Sequence, residues 1–175
     1  MFGIKWVKYT WVLDHLPDDS PKMERKLELR IVGKEDRPRI WKTLESTHRM
    51  DHGWNTALEQ RMADLKKVVD AGIDSKKVTF LSLEDGSHML GLSAIYFEEE
   101  SERQLLTGVC IQDEYRCRGA GTWLLYQSLH RLAEEGLKKA SVITRKDTVA
   151  DRFLYGKFKG QSEDVESYEI PKSLA

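Results

Sequence analysis

The sequence predicts a mixed α/β fold, a mostly antiparallel sheet with helices on both faces. Three features carry that expectation. Apolar segments rich in β-branched residues, or alternating with polar ones, recur at 26–32, 78–83, 89–97 and 104–111 and read as strands. Two of them flank Glu84-Asp85-Gly86-Ser87, a short turn suited to a β-hairpin. After 104–111 the spacing becomes helical over 121–135, and a further apolar run, Ala140 to Thr144, follows. A strand, a helix and a second strand in that order imply a right-handed crossover to a parallel neighbour.

Taken in order, Phe2 to Leu13 is aromatic and β-branched, with Trp6, Tyr9 and Trp11, and reads as a strand. Asp14 to Met23, with Pro17 and Pro21, is a loop. In Lys26 to Val32, Leu27, Leu29 and Ile31 fall on one face, and a hairpin with the first strand is expected. Gly33 to Asp36 leads into a helix containing Ile40, Trp41 and Leu44, with Pro38 in the first turn, where a missing N–H costs little. Ser46 to Trp54 breaks the pattern. A second helix runs from about Asn55 to Val69, ends near Gly72, and presents Leu58, Met62, Leu65 and Val69 at core spacing. The strands 78–83, 89–97 and 104–111 form an antiparallel meander. Gly136 ends the helix over 121–135, a helix over about Thr148 to Tyr155 follows Ala140–Thr144, and a last strand lies within Phe158 to Ile170.

The whole chain narrows the function classes. Its 175 residues suit one domain, and 40% apolar with 33% charged residues is a globular balance. A formal net charge of −1 gives no reason to expect nucleic acid or an anionic membrane as partner. No apolar run approaches the roughly 20 residues of a membrane span, and no signal-peptide pattern opens the sequence, so a soluble cytoplasmic protein is the default. The two cysteines, Cys110 and Cys117, imply no disulfide framework. His48 and His52 lie four apart, but no third ligand stands at a motif spacing, so no metal is expected.

The most informative stretch is Gln104 to Glu135. A strand ends at Ile111, a polar turn follows, and Arg116-Cys117-Arg118-Gly119-Ala120-Gly121 opens a helix. The first turn of a helix leaves N–H groups without partners and carries partial positive charge. Glycines at 119 and 121 let the backbone approach a ligand, and Arg116 and Arg118 add charge. The chemistry is that of a phosphate or pyrophosphate site. It lacks the spacing of a P-loop.

Arg116-x-x-Gly119-x-Gly121, after a Val-x-Ile strand and Asp-Glu-Tyr, resembles the Q/R-x-x-G-x-G/A signature of the GNAT superfamily of N-acetyltransferases. The resemblance covers Val78 to about Lys159 well and Leu27 to Gly72 loosely. It implies a core over 26–175, preceded by an extra strand and loop over 1–25, and a splayed parallel strand pair between 104–111 and 140–144. It implies acetyl-coenzyme A as cofactor. Main-chain groups of Val109, Cys110 and Ile111 would contact pantetheine, and Arg116, Cys117, Arg118, Gly119, Ala120, Gly121 and Thr122 would cradle the pyrophosphate. An N–H near Val109 or Cys110 would polarise the thioester carbonyl. Cys110 itself reads as an apolar filler.

The segment Thr148-Val-Ala-Asp-Arg-Phe-Leu-Tyr155 resembles the family's N-x-x-A-x-x-x-Y run, which implies Tyr155 as the acid that protonates the leaving thiolate. Lys159-Gly160 departs from the family's Gly-Phe. No general base stands out. Glu98, Glu99, Glu100 and Glu102 read first as a solvated turn, and otherwise as an attractor for a cationic amine. His48, His52, Trp41 or Trp54 would shape the acceptor pocket, and Arg145, Lys146, Arg152 or Arg118 would meet the 3′-phosphate end. The implied activity is acetyl transfer to a primary amine of a small molecule or peptide by direct attack in a ternary complex. The competing reading is an acyl-coenzyme-A-binding sensor or scaffold without turnover. An exposed aromatic edge at the N-terminus would allow a homodimer.

Overall fold

A computed structural model of the protein describes residues 5–23, 26–112, 119–166, 171 and 174. The described elements are β1 (Trp6–Val12), β2 (Glu28–Val32), α1 (Arg37–Arg49), α2 (Leu58–Gly72), β3 (Val78–Asp85), β4 (His88–Tyr96), β5 (Cys110–Ile111), α3 (Ala120–Glu134), β6 (Lys139–Arg145), α4 (Val149–Phe153) and β7 (Gln161–Val165). They form two hydrogen-bonded sheets, β2-β3-β4-β5 and β6-β1-β7.

The β3–β4 hairpin forms as its turn chemistry requires, with Val78 opposite Tyr96 and Asp85 opposite His88. Alternation then sends β3 side chains to opposite faces. Phe80 packs with Ile40, Leu44, Leu65 and Val69 of α1 and α2, whereas Leu81 and Leu83 pack with Leu124, Leu125 and Leu129 of α3. The sheet is thus covered on both sides. In α2 the buried face is Arg61, Leu65, Val68, Val69 and Gly72, rotated from the expected Leu58–Met62 stripe. A charged residue stands where core spacing asks for an apolar one.

The N-terminal strand does not pair with β2. It is the central strand of the second sheet, antiparallel to both β6 and β7, with Trp6 opposite Arg145 on one side and Val165 on the other. The physical reason is burial: Trp11 is fully buried and Val7, Tyr9 and Trp11 join the core around α3, which a strand beyond exposed β2 could not do. With both its edges paired, β1 offers no free edge to a second subunit.

The segment 104–111 is not one regular strand. Ile95 pairs with Leu105 and Leu92 with Cys110, three residues along β4 against five along its partner. Two extra residues are therefore held between Leu105 and Cys110 as a bulge. Thr107 compensates, because its hydroxyl accepts the Ala94 N–H (3.0 Å) that the bulge would otherwise orphan. Gly108 takes the left-handed conformation within it (φ 69°).

Hydrogen bonds at Ser141 tie the second sheet to the segment that follows β4. The N–H groups of Gln104 and Leu105 both donate to the Ser141 carbonyl (2.9 and 3.1 Å), and the Gln104 side-chain oxygen accepts the Ser141 N–H (2.8 Å). Beyond this clamp the parallel pair diverges, and the gap between 109–111 and Thr144 is open. Helix α4 is shorter than expected and ends at Phe153, so Tyr155 sits on the turn after it. The next turn is made by Phe158 and Lys159, both left-handed (φ 58° and 63°).

Candidate active site

A cavity of about 380 Å³ occupies the gap. Of the residues expected to hold a cofactor, Val109, Cys110, Ile111, Gly119, Gly121 and Thr122 line it, together with Tyr155. Ala120 is buried beneath the first turn of α3. Arg116, Cys117 and Arg118 lie outside the described residues.

Gly119 caps α3 in the left-handed region (φ 85°), and a Cβ there would press within 3.2 Å of the Lys22 carbonyl oxygen. The position therefore favours glycine on two grounds. It turns the chain so that the unpartnered first N–H groups of α3 end at the cavity, a geometry suited to phosphate oxygens.

In an antiparallel ladder successive N–H groups alternate sides. Because Gln112 donates to the Leu90 carbonyl (2.8 Å), Val109 and Ile111 turn their N–H groups away from β4 and towards the gap. The Val109 N–H donates to the Tyr155 hydroxyl at 3.0 Å. This meeting needs Gly108, since a Cβ there would collide with the phenolic oxygen. The Cys110 thiol is buried and donates to the Thr107 and Gly108 carbonyls (3.6 and 3.7 Å), a packing role within the bulge.

Tyr155 is 2% exposed and its ring is held by the N-terminal strand. Tyr9 lies 5.7 Å away, tilted, and Trp11 lies 5.8 Å away, edge-on. Trp11 donates from Nε1 to the Lys157 carbonyl (2.8 Å), and Tyr9 donates to the Asp151 carboxylate (2.7 Å). Burial, with that carboxylate second, pushes the Tyr9 hydroxyl up from 10.0 to about 12. Residues 6–12 thus brace the turn that carries Tyr155.

The far wall comes from α1, α2 and the turn between them. Of the residues expected to shape an acceptor pocket, His48 and Trp54 line the cavity, whereas His52 is exposed and Trp41 packs against the α1–α2 core. Thr47, Asp51, Arg61 and Thr107 also line it, and sequence reasoning missed all four. Arg61 had a signal: it lies three residues after Leu58 and four before Leu65, on the inward face. Asp51 is buried, with one oxygen accepting the Gly53 N–H (3.0 Å) and the other the Val149 N–H (3.1 Å).

Glu98, Glu99, Glu100 and Glu102 are outside the cavity lining. Glu98 pairs with Lys77 (2.7 Å), which holds its carboxyl below the ordinary value, and Glu99 accepts the Lys138 N–H (2.6 Å). Arg145 is committed to the Trp54 carbonyl (2.8 Å) and Thr56 (3.2 Å), and Arg152 lies over Phe153. Lysine at the cavity comes instead from Lys157. Among the described residues no cluster of three metal-ligating side chains occurs, and no helix is long and apolar enough to cross a membrane.

The fold thus presents a splayed strand pair, helices on both faces and a glycine-capped helix at the gap. The sequence profile of the Acetyltransferase (GNAT) family matches residues 38–160. The chain belongs to that family. Its fold is shared with solved structures of low sequence identity. A functionally unknown conserved protein from Staphylococcus epidermidis aligns at TM-score 0.61 and 10% identity, over 93% of this chain and 59% of that one. A GCN5-related N-acetyltransferase from Kribbella flavida aligns at 0.57 and 11%, over 91% and 55%. One from Sphaerobacter thermophilus aligns at 0.55 and 18%, over 92% and 49%. The chain therefore spans about half to three-fifths of the length of these proteins. It matches no curated protein.

Proposed function

We propose that the protein transfers an acetyl or other short acyl group from acyl-coenzyme A to a primary amine of a small molecule or peptide, by direct attack in a ternary complex. The observation that carries this reading is the Tyr155 hydroxyl seated in the gap on the Val109 N–H, at 3.0 Å. It lies beside a helix N-terminus shaped for a pyrophosphate.

The residues fit such a group. The amides of Gly119, Gly121 and Thr122, at the start of α3, would hold the pyrophosphate, and the gap edges of Val109 to Ile111 would hold pantetheine. When bound, acetyl-coenzyme A supplies a thioester whose acyl carbon accepts the amine and whose sulfur leaves as thiolate. Tyr155 holds the proton that the sulfur takes. The Val109 N–H stabilises the negative charge that grows on the phenolic oxygen as this proton departs. On this reading Val109 serves the tyrosine rather than the thioester carbonyl. Asp51, in the cavity wall, is the carboxylate placed to draw a cationic amine and take its proton, directly or through water.

Thermal unfolding with and without acetyl-coenzyme A tests the reading, with Gly119→Glu as control. Ligand at about 100 times its dissociation constant stabilises by roughly 2.7 kcal/mol. For a domain of this size that raises the melting point by roughly 5 to 10 °C. The rise is expected in the intact protein and lost in the variant. No rise at saturation would overturn the proposal.

A further inference from the structure

Among the buried charges that the proposed chemistry leaves unused, Arg61 is the one in the cavity wall. It is 2% exposed, on the inward face of α2. Burying a guanidinium is costly unless its donors are placed, so its fixed bonds indicate what it serves.

Its grip on the helical layer is twofold. The His48 Nδ1–H donates to the Leu44 carbonyl (2.8 Å), which leaves Nε2 as the acceptor, and Arg61 donates to it from Nε at 3.1 Å. The guanidinium carbon lies 4.6 Å from the Trp54 ring centroid, stacked as a cation on an aromatic face. Trp54 is itself held between His48 (5.2 Å) and Trp6 (6.0 Å).

From this anchored plane Nη2 reaches across to the bulge and donates to the Thr107 carbonyl at 2.7 Å. Thr107 is 1% exposed, and in the bulge its carbonyl has left the β4 ladder. A buried carbonyl needs a donor, and beside the weak Cys110 thiol (3.6 Å) Arg61 supplies the strong, charged one. The same residue fixes the bulge on its other side, through the Ala94 N–H and through its own hydroxyl donating to the Gly108 carbonyl (2.8 Å). Two residues on, the Val109 N–H meets Tyr155.

We propose that Arg61 is a positioning residue for acyl transfer: by holding the Thr107 carbonyl it sets the bulge that aims the Val109 N–H at the Tyr155 hydroxyl. The inference rests on the reading of Tyr155 as proton donor. Arginine suits the task because its planar fork presents Nε and Nη2 in fixed directions, one to His48 and one to Thr107. The point charge of lysine cannot span both.

The test uses Arg61→Lys and Arg61→Gln in the full chain, alone and combined with Tyr155→Phe. Amide hydrogen exchange is expected to accelerate at Val109 while Cys110, in the ladder with β4, keeps its protection. The turnover number is expected to fall roughly 10- to 100-fold with KM for acetyl-coenzyme A little changed, as for a small misplacement of a reacting group. In the Tyr155→Phe background the same substitutions should cost less than about threefold, because the two residues act as one unit. Val109 staying protected, additive losses, or protection lost equally across the β4–β5 ladder would each overturn the proposal. Failure of both variants to fold would also overturn it, by assigning Arg61 to stability alone. If the intact protein transfers no acyl group, the functional reading fails and the exchange pattern at Val109 still decides the structural half.

Discussion

The Tyr155 hydroxyl occupies the space a side chain at Gly108 would need, and accepts the N–H of the next residue, Val109, at 3.0 Å. The bulge and the tyrosine are therefore complementary shapes, and neither can change alone.

Tyr155→Phe keeps the ring between Tyr9 and Trp11 and deletes only the oxygen. The turnover number should fall by roughly 100-fold or more, the range of a lost general acid. The melting-point rise with acetyl-coenzyme A should persist. Steady-state kinetics beside thermal unfolding checks both, and an unchanged rate would remove Tyr155 from the mechanism.

Gly108→Ala places a methyl on the phenolic oxygen and forces a left-handed residue (φ 69°) to carry a Cβ. The strain is about 1 to 3 kcal/mol. Activity should fall at least as far as in Tyr155→Phe, and the double variant should fall no further. Urea unfolding and kinetics on the three variants measure this.

Gln104 closes the clamp between the sheets, accepting the Ser141 N–H and donating to the carbonyls of Glu98 and Ser101 (both 2.9 Å). In Gln104→Ala the buried Ser141 N–H and two partly buried carbonyls lose partners, at a cost of about 2 to 3 kcal/mol. Denaturant titration should show that loss. The gap-facing Val109 and Ile111 amides should exchange faster as the strand pair loosens.

Tyr9, raised to about 12, carries the sign of a group whose protonated form the fold prefers. Its contribution is fully present below pH 10 and is lost as pH rises through about 12. Ultraviolet titration should show a late-ionising component, to which Tyr126, also raised by burial, contributes, and Tyr9→Phe should diminish it. If all tyrosines ionise together near 10, the Tyr9–Asp151 bond does not form in solution.

The legible part of the fold was what local chemistry encodes. The Gly86 turn announces the β3–β4 hairpin, and leucines at helical spacing announce α3. The placement of β1 was not legible, because alternation says that a strand buries a face and not which strands flank it. Nor was the bulge: Leu105 to Ile111 is apolar apart from Thr107, and only Thr107-Gly108 hints that its backbone leaves the ladder. At the site, the glycine-opened helix and Tyr155 stand out by motif. Arg61, Thr107 and Asp51 do not, since their partners are mostly backbone atoms and rings, such as the Thr107 carbonyl, the Ala94 N–H and the Val149 N–H, that no motif spacing announces.

The position of β1 also sets what removing residues 1–25 would do. Trp11 is fully buried between α3 and the Tyr155 turn, and truncating a buried tryptophan to alanine costs about 3 to 5 kcal/mol. Deleting the whole strand should unfold the second sheet, visible by circular dichroism, rather than change the solution mass of a folded protein.

The same strand imposes a timetable. Thr10 pairs with Ser141, 131 residues later, and β7 completes the sheet later still. During synthesis β1 must wait, with Trp6, Tyr9 and Trp11 exposed, until residues 139–165 have been made. Such long-range closure is slow and leaves an aromatic segment open to wrong partners meanwhile. Its yield in the cell should depend on how quickly residues 139–165 follow.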